Sequence, residues 1–379
     1  MESKQVYRNF FLGGLAIAAL IMSACNLDDP LPGQHKPDIS VSELLQDGGV
    51  LVLNEGNFMY GNASLSYYNP VSGEVANDVF YRQNDNTPLG DVAQSASIFS
   101  GELYVVMNNS GKIMVMNFGK YPSHKAFEFT RKITGLQSPR YISFVDSSKA
   151  YISDLYAKAV SIYDPATYSV SGKINLANHN PDFYQHPTEQ FIGFEDEVFT
   201  NCYSFDDKVL VIDRKTDKLI DSIQVLQQPN SMVLDRNGKI WVLCDGGYEG
   251  SAYGDNQPGL VRIDAASHTV EKIYILPLDN WPSKLCINGS SDTLYFINGD
   301  VWRMNVDAPA LPAEPFIRSR SLSGSKLFYG LGVNPLNSEI YVSDAIDHLQ
   351  NGAVYRFSPQ GEAIDTFRVG IIPGFFVFF

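Results

Sequence analysis

Charge, cysteine and long apolar runs are all scarce in this chain. Charged residues make up 18% of its 379 residues, and its four cysteines and six histidines are scattered without CxxC, HxH or HExxH spacing. That scatter argues against a disulfide framework and leaves no metal site visible in the sequence. The net charge of −14 disfavours nucleic acid and anionic lipid as partners. Apart from the N-terminus no window keeps a helical period, so a helical bundle or solenoid is excluded. β-Branched and aromatic residues dominate the periodic stretches instead, which predicts an all-β chain.

Those stretches repeat. Val52, Tyr104, Tyr151, Phe199, Trp241, Tyr295 and Tyr341 take equivalent places in seven segments whose neighbours lie 42 to 54 residues apart. That is the period of a four-stranded propeller blade. An opening strand precedes most of them: SPRYISF from Ser138, PTEQFIGF from Pro187, QPNSMVL from Gln228 and WPSKLCI from Trp281. A third strand ends on Asn, Asp or Ser in every unit, which favours a turn. Fourth strands such as LIDSIQV at 219 to 225 and AIDTFRV at 363 to 369 close most units. The segment from Gly48 lacks an opening strand, while IPGFFVFF at the C-terminus is an opening strand with nothing after it. The tail is therefore expected to supply the innermost strand of the blade built from residues 49 to 82. The expected fold is a seven-bladed β-propeller with four-stranded antiparallel blades, spanning 48 to 379 and closed without a free sheet edge.

Residues 1 to 24 have the pattern of a lipoprotein signal peptide. Lys4 and Arg8 precede the apolar run FFLGGLAIAALIM, and Ser23 and Ala24 precede Cys25, the expected lipidation site. The apolar run is short for a membrane span. Residues 25 to 47 are polar and Pro-containing and read as a flexible tether. Asp28 and Asp29 resemble the acidic export signal that sends Bacteroidota lipoproteins to the outer face of the outer membrane. The expected location is that surface, with the lipid as the membrane contact. Cys202, Cys244 and Cys286 sit in or at the end of strands and read as small buried hydrophobes, with a pairing of two as the alternative.

In an up-and-down blade, the loops from second to third strand share a face with the loops that lead into each new blade. Here these loops are the long ones, and the second strands end on Asn54, Asn108, Asp154, Asn201, Asp245, Asn298 and Asp344. Starts of the innermost strands are polar, including Gln94, Arg140, Tyr141, Glu189, Gln190, Asn230, Lys284 and Tyr329, and Tyr156, Tyr203, Tyr248 and Trp281 share that face. Amide groups with flat aromatic surface suit a large neutral ligand bearing polar arms. The alternative is that the Asn and Asp side chains merely begin turns. No nucleophile motif is present, so no catalytic residue is named; a propeller lyase or hydrolase using Glu189 and nearby carboxylates is the rival reading.

The motifs NEGNF, GDVAQS, SPRYISF, FTNCYS, WVLCDGGYEGS, YGLGV and the closing VGIIPG resemble those of the YncE-like, seven-bladed surface lipoproteins of Bacteroidota, and more narrowly the BtuG group. The resemblance runs from about residue 48 onward. It implies cobalamin or another corrinoid as a non-covalently bound cargo rather than a cofactor, a BtuB-like TonB-dependent outer-membrane barrel as partner, and no catalysis. It also leaves room for a related accessory protein serving another nutrient transporter.

Overall fold

The structure is a computed structural model and describes residues 48–119, 125–180, 184–251, 254–277, 281–319, 322 and 327–379. The expected signal peptide, Cys25 and tether lie outside the described residues. Seven antiparallel sheets follow one another, making the seven blades of a β-propeller. Blade I combines Pro373–Phe378 with Val50–Asn54, Ser64–Tyr68 and Val75–Ala76. Blades II to VII begin with the inner strands Ala93–Phe99, Pro139–Asp146, Thr188–Phe194, Pro229–Leu234, Ser283–Ile287 and Phe328–Val333. All seven predicted second-strand markers fall in second strands.

The tail pairs as the repeat pattern requires. Val50 stands opposite Phe378, Leu51 opposite Val377 and Val52 opposite Phe376, and the Gly48 amide donates to the Phe379 carbonyl at 2.6 Å. Tyr341 of blade VII packs against both Phe376 and Phe378. The seam is reinforced further out, where Tyr68 stacks on Phe367 at 3.9 Å and donates from its hydroxyl to Asp365 at 2.8 Å.

Second strands such as VLVLN and IYVSD are buried along their whole length, because each blade lies against a neighbour on both faces. The core is therefore a set of seams rather than one centre. Tyr104, Val106 and Ile113 of blade II meet Ile142, Ile152 and Tyr163 of blade III; Trp241 and Leu260 of blade V meet Leu294 and Phe296 of blade VI. Outer strands such as Lys218–Gln224 are mostly exposed.

Two elements depart from the repeat. Blade I has a fourth strand of only two residues, followed by a short helix, Val79–Gln83, that buries Val79 and Phe80. The sequence reading carried strand structure to residue 82. In blade VI the described residues form three strands, with a single bridge between Val301 and Ile317 beyond them. Cys202 and Cys244 are buried and Cys286 is half-buried; all three are free thiols, so no pair among them is bonded.

Candidate functional site

Every inner strand breaks its register at the same end. The slips fall between Ala93 and Ser95, Pro139 and Ile142, Thr188 and Phe191, Pro229 and Ser231, Ser283 and Cys286, and Phe328 and Leu331, and opposite Leu53 and Asn54 in blade I. A bulge leaves its extra residue unpaired and re-aims the side chain. The first residues in these bulges are Gln94, Arg140, Glu189, Asn230, Lys284, Tyr329 and Gly374, one from each blade. Polar side chains of the facing strands take up the displaced amides: Tyr141 donates to Ser153 Oγ at 3.0 Å, Gln190 to Asn201 Oδ1 at 3.0 Å and Gly330 to Ser343 Oγ at 2.7 Å.

Several of the bulge residues make contacts across the seams between blades. Arg140 Nε donates to Glu189 Oε1 at 2.6 Å across the seam between blades III and IV, with Glu189 3% exposed. Burial pushes the Glu189 carboxyl above its ordinary range, while Arg140 and then Lys284 pull it back. Lys284, held at φ +59, donates to the Gly374 carbonyl at 3.0 Å and lies 5.5 Å from the Tyr329 ring centroid. A side chain at Gly374 would strike Glu55, whose carboxylate accepts from the Tyr329 hydroxyl at 2.8 Å. Burial first, then Glu55, drives the Tyr329 hydroxyl pKa upward. Tyr141, pushed up to about 12 by burial and by Glu189, accepts a hydrogen bond from Gln190 Nε2 at 3.4 Å and meets Phe375 edge-on at 6.3 Å. Gln190 also accepts from the Met232 amide at 2.7 Å.

The loops of blades IV to VI enclose a cleft of about 630 Å³ lined by Tyr203, Gln228, Asp245, Gly247, Tyr248, Glu249 and Trp281. Trp281 is 68% exposed and Tyr248 46%. Trp281 also borders a second cleft of about 820 Å³, whose walls include Asn298, Trp302 and Arg318. Asn298 Oδ1 is buried there with no hydrogen-bond partner among the described residues. Burial raises the Asp245 carboxyl, and its acceptor bonds from Gln228, Gly247 and Asn230 offset this. Tyr203 lines this cleft, and its hydroxyl pKa is raised by burial, then by Asp245 and Glu189.

The structure thus brings together eleven of the twelve residues singled out from sequence. Gln94, Arg140, Tyr141, Glu189, Gln190, Asn230, Lys284 and Tyr329 occupy bulges, and Tyr203, Tyr248 and Trp281 line the cleft. Tyr156 stands exposed on the loop after Asp154 and borders neither described cleft. Glu55 was missed, although its place in NEGNF beside a predicted mouth loop was visible. The Asn and Asp residues at the ends of second strands serve mainly as internal latches. Asp154 accepts from the amides of Gln137, Ser138, Tyr156 and Ala157, and Asn201 Nδ2 donates to the Pro229 carbonyl of the next blade at 2.6 Å.

Comparison with known proteins agrees with this architecture. No functionally curated protein matches the sequence. The chain is similar in fold to a Quinonprotein alcohol dehydrogenase-like protein of Bacteroides thetaiotaomicron VPI-5482, at 15% identity and TM-score 0.63, covering 90% of this chain and 79% of that one. It is likewise similar to a protein of Lactobacillus plantarum at 11% identity and TM-score 0.63, covering 88% and 100% respectively. At these identities the similarity shows the fold alone. A family profile matches residues 48–378, nearly all of the propeller, and the chain accordingly belongs to the family described as Domain of unknown function (DUF5074).

Proposed function

We propose that the protein is a lipid-anchored surface receptor that holds a corrinoid non-covalently over the channel mouth and passes it to a TonB-dependent outer-membrane barrel. The observation that carries this reading is the pair of clefts meeting at Trp281, about 630 and about 820 Å³, a combined opening larger than a drug-sized ligand needs. Tyr248 and Trp281 offer flat apolar faces to a macrocycle, while Tyr203, Gln228 and Arg318 offer polar groups to its amide arms. The resemblance of the sequence motifs to those of corrinoid-capturing surface lipoproteins supports the same reading.

The carboxylates favour binding over acid–base chemistry. Glu189 is held by Arg140, Glu55 by Tyr329, and Asp245 by Gln228, Asn230 and a backbone amide. Groups committed in this way act as scaffold for a neutral cargo. Calorimetric titration of the purified full chain with cyanocobalamin tests the proposal: saturable binding at micromolar concentration or tighter is expected. Trp281→Ala and Tyr248→Ala should each weaken it about tenfold, about 1.4 kcal/mol, without lowering the melting temperature. No heat at micromolar cyanocobalamin would remove the corrinoid and leave a different nutrient as cargo.

A further inference from the structure

Beside the inner strand of blade IV, three side chains of different chemistry converge. His186, Cys202 and Asp206 place one donor atom each within 4.8 Å of one another. His186 Nδ1 lies 2.7 Å from Asp206 Oδ2. Cys202 is fully buried and carries a free thiol. A thiol, an imidazole and a carboxylate at one point exceed what packing requires, since Cys202 alone would serve as a small apolar side chain.

We propose that His186, Cys202 and Asp206 form a binding site for a borderline-soft divalent cation of the Zn²⁺ type. The thiolate disfavours Mg²⁺ and Ca²⁺, which prefer all-oxygen shells. Three protein donors leave a fourth position for water, as in open zinc sites. On binding, the Cys202 thiol releases its proton to solvent and the sulfur becomes an anionic ligand; with Asp206 the two negative charges balance the cation. His186 is the most exposed member and gives the ion its way in, its side chain being 19% exposed.

The backbone around these donors is already fixed. The His186 amide donates to the Leu176 carbonyl at 3.1 Å, the Gln228 amide donates to the Asp206 carbonyl at 2.8 Å, and Thr188 pairs with Cys202 in the sheet. Spacing in the sequence hid the set, because its members are brought together by a bulged strand pair and the loop after it. The site would pin both sides of the mouth, since Glu189 follows His186 by three residues and Tyr203 follows Cys202 directly.

The test uses the full chain, stripped with chelator and titrated with Co²⁺ alone as the spectroscopic probe. One saturating set of visible d–d bands with a near-ultraviolet thiolate-to-cobalt charge-transfer band is expected, bleached by added Zn²⁺. Cys202→Ser should remove the charge-transfer band, and His186→Gln should weaken Co²⁺ binding by about tenfold or more. Zn²⁺ should also raise the melting temperature of the wild type and not of Asp206→Asn, a readout that stands if Cys202→Ser fails to fold. A titration without the charge-transfer band, or a band that survives in Cys202→Ser, overturns the assignment. Both outcomes are independent of whether cyanocobalamin binds.

Discussion

Asn201 and Glu189 face each other in the same blade, both buried, and they illustrate how little a residue's type says about its duty. Asn201 is spent on the next blade's backbone, whereas Glu189 sits in a bulge and meets a cation from the preceding blade. His268 shows the same at the rim. Its Nδ1 lies 2.8 Å from Asp221 and its Nε2 2.8 Å from Glu197, so a turn of blade V is clasped by blade IV. Burial opposes its charge, but the two carboxylates outweigh burial and hold its pKa above the ordinary value. A raised folded-state pKa contributes stability that is complete below the unfolded value of about 6.5 and is lost as pH rises through the folded value. His268→Gln should therefore lower the melting temperature at about pH 5.5 and make much less difference at about pH 9. A pH-independent difference between the two proteins would show that the clasp does not depend on charge.

Among the described residues the strands of adjacent blades belong to separate sheets, and side chains join them. Asn108 Nδ2 donates to Pro139, Asn201 to Pro229 and Asn230 to Pro282, in each case to the carbonyl of a proline at or before the start of the next inner strand. Proline lacks an amide donor, is tolerated as the first residue of a strand, and leaves its carbonyl free to accept. Replacing Asn201 by Ala strands the buried Pro229 carbonyl, and a loss of about 1–3 kcal/mol in denaturant unfolding is expected with an unchanged slope. A loss below about 0.5 kcal/mol would mean that the carbonyl finds another partner. The strands themselves were legible from their β-branched and aromatic content and from the aromatic near the centre of every second strand except that of blade I, where Val52 stands. The helix at Val79–Gln83 was not, because five residues are too few to display a period. The bulges were half legible: polar residues at the starts of inner strands marked their positions, but nothing in Arg140 or Glu189 announces a partner 49 residues away. That contact exists only because one blade stands beside the next.

Closure belongs to the whole ring. Removing residues 371 to 379 would strip blade I of its inner strand and leave Val50–Asn54 with an open hydrogen-bonding edge, while Tyr341 loses Phe376 and Phe378. The truncated chain should aggregate or unfold without a cooperative transition, as followed by calorimetry and gel filtration. A sharp transition near the wild-type temperature would show that six blades and a remnant suffice. The same connectivity sets an order of assembly. Because Pro373–Phe378 completes the first sheet and the other six blades lie between it and Val50–Asn54 in sequence, the circle cannot lock until all six have been synthesised.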